Sequence, residues 1–108
     1  MAARSTRSLQ YFGISVTLTP ASTGQNLLAL LQAVDNNVPA TCRELTVQAD
    51  SVAAVSVGDA SISSTRRGYT LQVGDSKTYR SSAVQDVPIG AIYLFSAGAA
   101  VVNVEGWC

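Results

Sequence analysis

The chain has 108 residues, near the common size of a single domain, and 47 % of them are apolar. Only 13 % are charged, about half the usual ~25 %. Seven basic residues balance seven acidic ones and histidine is absent. No net field attracts nucleic acid or a charged membrane, and His-based acid–base catalysis, Ser-His-Asp triads and most zinc sites are excluded.

A domain of this length hides only about two-thirds of its unfolded surface, so association of copies is an obvious way to bury more. With so few charges, its outside must be covered by Ser, Thr, Ala, Gln and Asn. Such groups cost less to bury against another protein than ions do. No stretch approaches the ~20 apolar residues of a membrane span. The opening "MAARSTRSLQ" is basic but has no apolar run behind it, so no secretory signal is expected. The chain is expected to stay in the cytoplasm or to be built into a particle there.

Residues 1–10, with Arg4 and Arg7, show no apolar periodicity and are expected to form a flexible arm, followed by one domain over 11–108. In "YFGISVTLT" (11–19), Ile14, Val16 and Leu18 alternate with Ser15, Thr17 and Thr19. This predicts a half-buried strand that Pro20 ends. "STGQNLLALLQAVDNN" is the one helical pattern, predicting a helix near 24–34. Ser22 or Thr23 is its expected cap, Leu27, Leu28, Leu31 and Val34 its apolar stripe, and Asn36-Asn37 its stop. One short helix cannot found a helical fold; it is expected to plug an end or cover an edge of a β-structure.

"RELTVQA" predicts a strand with Leu45, Val47 and Ala49 inward. "AVSVGDASIS" (54–63) and "TLQVGDSKTY" (70–79) share a Val-Gly-Asp core, and two hairpins are expected, turning at Gly58-Asp59 and Gly74-Asp75. Their core candidates are Val55, Val57, Leu71 and Val73. "STRRGY" connects them and "RSSAVQDVPIG" is read as a loop. In "AIYLFSAGAAVVNVEGW", Ile92 and Leu94 oppose Tyr93 and Phe95, residues 96–99 turn at Gly98, and Val102 and Val104 run back as core strand. About eight short strands with turn signals every 8–12 residues predict an all-β antiparallel sandwich, jelly-roll or open barrel.

Little in the chain can carry chemistry. Cys42 and Cys108 belong to no C-x-x-C pair; a reducing compartment would keep them as thiols, and a structural bond at residue 108 is not expected because chain ends fray. The carboxylates Asp35, Glu44, Asp50, Asp59, Asp75, Asp86 and Glu105 fall mostly at turns and strand ends, where they accept local hydrogen bonds. Neither a catalytic pair nor a D-x-D-x-D-G calcium loop is evident. No cofactor or metal is expected. Arg66-Arg67 is read as a solvated loop pair or a contact to an acidic protein neighbour. Trp107 is expected to cover an end of the sandwich, with sugar stacking on Trp107 or Tyr93 as the alternative.

The order "VSVGD" (55–59), "GYTLQVGDS" (68–76), "AIYLFSAGAA" (91–100) and "VVNVEGW" (101–107) resembles small virion structural proteins of tailed bacteriophages. The likeness covers roughly residues 43–107. It implies a non-enzymatic β-sandwich subunit of the virion, such as a capsid decoration (cement) protein, that assembles as a trimer or larger ring on the major capsid protein or another virion protein. A tail or fibre component binding host glycans is the alternative, and a small hydrolase the least favoured. The arm with Arg4, Arg7 and Tyr11, together with Arg66 and Arg67, are the expected contacts to neighbouring subunits.

Overall fold

The computed structural model describes residues 10–20, 23–51 and 53–108. Arg4, Arg7 and Ser22 lie outside the described residues. The described residues form ten strands, β1 Tyr11–Thr17, β2 Gln25–Asn26, β3 Thr41–Cys42, β4 Glu44–Ser51, β5 Val55–Gly58, β6 Tyr69–Leu71, β7 Ser76–Arg80, β8 Val87–Pro88, β9 Tyr93–Phe95 and β10 Val101–Trp107. One α-helix, α1 Leu27–Val34, and a 3₁₀ turn at Ile89–Ala91 complete the set. The fold is all-β with a short helix.

Two four-stranded antiparallel sheets, β1-β10-β4-β7 and β2-β9-β5-β6, face each other, and β3-β8 forms a two-residue ribbon at one end. The pairs nest: β1 with β10, β2 with β9, β4 with β7, β5 with β6. Between the sheets lie Val16, Leu18, Leu45, Val47, Val55, Val57, Leu71, Ile92, Leu94, Val102 and Val104, all buried, with Leu27 and Leu31 of the helix. Ile14 is half-buried against them.

Both Val-Gly-Asp segments behave differently from the expected hairpins. β5 pairs with β6 across the ten-residue loop 59–68, and nothing returns immediately after Gly58-Asp59. Gly74-Asp75 is a true turn, with Gly74 at φ 95°, but it carries the chain from β6 in one sheet to β7 in the other. Gly74 N–H donates to Ala49 O (2.7 Å) and Ala49 N–H to Asp75 O (3.0 Å), anchoring the corner on β4. Val73, expected in the core, therefore sits on the corner with 53 % of its surface exposed. Alternation loses its meaning where a chain leaves its sheet.

A second sheet change occurs at 96–100, so β9 and β10, read as a returning pair, belong to opposite sheets. There Ser96 Oγ donates to Ala54 O (3.0 Å) and accepts from Gly98 N–H (3.3 Å). The segment 80–90, read as loop, begins on the last residue of β7 and contains β8 and the start of the 3₁₀ turn.

Helix α1 begins with its apolar stripe at Leu27 and not near residue 24, because Gln25-Asn26 first pair with Leu94-Tyr93. Its cap is Asn26 in place of Ser22 or Thr23: Asn26 Oδ1 accepts from Ala29 N–H (2.9 Å) while Nδ2 donates to Gly90 O (2.9 Å). It ends on Asp35 in extended conformation, not on Asn36-Asn37. The helix packs on β1 and the 3₁₀ turn, covering the β1/β2 side of the sandwich.

The opposite edge is closed differently. Lys77 and Tyr79 of edge strand β7 lie on the face that Val47 and Leu45 turn to the core. Lys77 Nζ rests 4.8 Å from the Tyr69 ring centre and 5.1 Å from that of Tyr79. A cation held over two rings fills the gap and discourages pairing of the bare edges with another strand.

Cys42 and Cys108 are joined by a disulfide, contrary to the expectation of free thiols. Residue 108 is not frayed: its N–H donates to Gln10 O (2.7 Å) and its carbonyl accepts from Gln10 N–H (3.2 Å), continuing the β1-β10 ladder. Arg43 N–H donates to Trp107 O (2.9 Å) on the other side. The ladder brings the two Cα atoms to 4.1 Å although 66 positions separate them.

Candidate functional site: a bare polar sheet face

The two outer faces of the sandwich differ. Tyr93, Phe95, Ser56 and Gly58 line the outside of β2-β9-β5-β6, and loop 59–68 lies over them. Ile62 is buried there, packed where Gly24 and Gly58 have no side chain; a Cβ on Gly24 would meet Ile62 Cγ1 at 2.7 Å. Gly58 is thus a glycine of close approach, not of a turn. Arg67 covers Phe95, its guanidinium carbon 5.9 Å from the ring centre. Phe95 and Ile62 are both buried on this outer face, apart from the main core cluster.

Local hydrogen bonds stiffen this loop. Asp59 accepts from the hydroxyl and the N–H of Ser61, which hold its carboxyl below the usual carboxylate range. Ser63 Oγ accepts from the N–H groups of Thr65 (3.3 Å) and Arg66 (3.2 Å), and Arg66 Nε donates to Ser61 Oγ (2.9 Å). Gly24 N–H donates to Ile62 O (3.1 Å), tying the loop to the far edge of the sheet.

Among the described residues, none covers the outside of β1-β10-β4-β7 in this way. Its outward residues come from the same alternation that builds the core: Tyr11, Gly13 and Ser15 on β1; Asn103, Glu105 and Trp107 on β10; Glu44, Thr46 and Gln48 on β4; Ser76, Thr78 and Arg80 on β7. They are joined across the strands. Ser15 Oγ donates to Asn103 Oδ1 (2.6 Å), and Asn103 Nδ2 donates to Gln48 Oε1 (3.3 Å). The Thr46 and Thr78 hydroxyls lie 3.0 Å apart, and Arg80 Nε donates to Glu44 Oε2 (2.8 Å).

Tyr11 and Trp107 are directly opposite in register, with ring centres 4.9 Å apart and planes at 52°. Both are exposed, 52 % and 42 %. Trp107 therefore stands on this face and does not lid the end of the sandwich. The Tyr11 hydroxyl donates to Glu105 Oε2 (3.0 Å), an arrangement Gly13 permits: a Cβ there would come within 2.7 Å of that hydroxyl. The bond to the Glu105 carboxylate is the main reason the phenol's pKa is raised, with desolvation and the carboxylate's charge adding to it. Beside this pair runs a shallow groove of about 390 Å³.

The residues singled out from the sequence do not converge. Tyr11 and Trp107 share the bare face, Tyr93 is on the other sheet beside Ile62, and Arg66-Arg67 are exposed on the loop that covers that sheet. Sequence reading missed Gly13, Ser15, Gln48, Asn103 and Glu105 as one surface, because their alternation was used only to locate the core. Among the described residues, no three His, Cys, Asp or Glu side chains group as a metal site, and no helix is long and apolar enough to cross a membrane. No family model, curated protein or solved structure matches the chain.

Proposed function

We propose that the chain is a non-enzymatic, jelly-roll structural subunit of a tailed-phage virion, a capsid decoration protein that binds the assembled head as an oligomer, with a trimer favoured. The observation that supports this most is the nesting of strand pairs β1/β10, β2/β9, β4/β7 and β5/β6 across two sheets. One long antiparallel hairpin folded over on itself produces that order, and jelly rolls of this kind build viral shells as well as lectin domains. Fold alone does not assign function; the stiff loop 59–68 adds a second support. It presents Arg66 and Arg67 on a hydrogen-bonded plate, suited to an acidic protein neighbour, and presentation in many copies multiplies a modest contact. The disulfide fits a particle that leaves the cell for oxidising surroundings.

The test is co-sedimentation with heads assembled from the major capsid protein encoded in the same genome. Wild type is expected to pellet with the heads and to show, in solution, three times the mass of the 11.2 kDa chain. The Arg66→Glu/Arg67→Glu variant, or a chain lacking residues 1–10, should lose the heads while melting as a folded domain. Absence of wild-type binding, or binding unchanged in both variants, overturns the reading.

A further inference from the structure

We infer that the bare face of β1-β10-β4-β7 is a binding site for a neutral oligosaccharide, seated on Tyr11 and Trp107 and read by Glu105, Asn103, Gln48 and Ser15. A sugar offers two chemistries at once: an apolar C–H face that lies on an aromatic ring, and a rim of hydroxyls that both donate and accept. The face supplies both in one place. Tyr11 lines the groove and Trp107 stands behind it, their ring centres 4.9 Å apart, a tilted aromatic shelf more than two-fifths exposed. The phenol is not free to swing away, because its hydroxyl is bonded to Glu105 and its ring lies over Gly13.

Next to the shelf the hydrogen-bonding groups are already ordered. Ser15, Asn103 and Gln48 form a chain across three adjacent strands, so a sugar hydroxyl meets side chains whose rotamers are set before binding. Glu105 Oε2 is engaged by Tyr11, which leaves Oε1 as an acceptor for a ligand hydroxyl. The same carboxylate selects by charge. Among the described residues, the one cation joined to this face, Arg80, is paired with Glu44 at 2.8 Å, so a carboxylated or sulfated sugar would meet the Glu105 carboxylate with no described cation beside it. Neutral hexose and N-acetylhexosamine chains fit; acidic glycans do not.

A protein partner is the weaker occupant of this face. The centre of a stable protein interface is depleted in charged groups and rich in apolar ones, whereas the centre here is Ser15, Asn103, Gln48 and Glu105. Loop 59–68 is on the opposite sheet, so this site and the Arg66-Arg67 part of the proposed capsid contact leave each other free. The inference does not depend on the virion reading.

Trp107 is the chain's one tryptophan, so its emission reports this site alone. The experiment titrates the full chain with a panel of hexa- and tetrasaccharides of glucose, galactose and N-acetylglucosamine, alongside sialylated and sulfated oligosaccharides, and follows Trp107 fluorescence and calorimetric heat. A saturable change with at least one neutral sugar and none with the acidic ones is expected. Tyr11→Ala and Asn103→Ala, both exposed or half-exposed positions, should weaken it at least tenfold with the melting temperature nearly unchanged. Glu105→Gln should weaken neutral binding and relax the exclusion of acidic sugars, an outcome a merely structural role would not produce. No saturable binding across the panel, binding of acidic sugars by the wild type, or affinity unchanged in Tyr11→Ala overturns the inference. So does loss of head binding in Trp107→Ala with no sugar bound by the wild type, which would give this face to protein. Because the sugar titration uses no capsid and the co-sedimentation uses no sugar, each proposal fails separately.

Discussion

Breaking the Cys42–Cys108 bond is expected to cost this domain a large share of its stability while leaving its fold in place. The bond closes a loop of 66 positions. Loop-closure entropy for that length falls between the ~3 kcal/mol of a 15-residue loop and the ~4.7 kcal/mol of a 100-residue one, at about 4 kcal/mol. A domain of this size has a total unfolding free energy of about 5–15 kcal/mol. The native ladder does not need the bond, since the paired hydrogen bonds between Gln10 and Cys108 and the Arg43–Trp107 bond remain. The cost therefore falls chiefly on the unfolded side, whose chain becomes less restricted. Urea unfolding with and without a phosphine reductant, repeated on Cys42→Ser/Cys108→Ser, measures it. With a slope of ~2 kcal/mol/M, the midpoint should drop by roughly 2 M. The slope itself should rise, because a chain without the cross-link exposes more surface. Identical midpoints and slopes, or two titratable thiols in the unreduced denatured protein, would refute the reasoning.

Ile62→Ala should cost about 2–5 kcal/mol if the hollow over Gly24 and Gly58 stays open, and less if the loop settles into it. Amide exchange should speed up in 59–68 and not in β4 or β10; acceleration of all three together would remove the loop as a unit separate from the main core. Gly68→Ala should destabilise more than Gly74→Ala. At Gly68 a Cβ runs into the Val57 carbonyl, whereas at Gly74 it meets no atom and pays only for φ 95°, roughly 1–2 kcal/mol; thermal melts of the two variants rank them, and the reverse order counts against the β5-β6 packing described above. Tyr79 has its phenol pushed up to about 12 by burial. A raised folded pKa means the stabilisation is complete below the unfolded value of 10.0 and disappears as pH climbs towards about 12. Absorbance at alkaline pH should show one tyrosine ionising late and together with unfolding in Tyr79-containing protein, and not in Tyr79→Phe.

Much of the fold was legible because burial on one face imposes period two. Val16, Leu18, Leu45, Val47, Ala49 and Val104 all alternate with polar neighbours, and all are buried. Val73 shows where that logic ends: it continues the alternation of Leu71, but the chain has already turned at the corner towards β7. The Val-Gly-Asp repeats were similar as sequences and dissimilar as structures, since one glycine makes room for Ile62 and the other adopts positive φ. The candidate site was half legible. Trp107 stood out as a possible sugar platform, and alternation puts Asn103 and Glu105 on its side of β10, yet Tyr11, Ser15 and Gln48 join them only through register, which local pattern does not carry.

What this sequence determined by itself is therefore local: which segments are strands, which side of each is apolar, where the helix falls, and that histidine chemistry is absent. Those follow from hydrophobic period, turn residues and composition, each acting over a few residues. Only the tertiary structure decided which strands pair, that β9 and β10 part company, that Cys108 meets Cys42, and that one sheet is covered while the other is bare. Such choices join positions far apart in the chain, as in the paired Gln10–Cys108 bonds and the Tyr11–Glu105 bond. They depend on the free energy of packing two whole sheets together, a quantity that no short window of sequence contains.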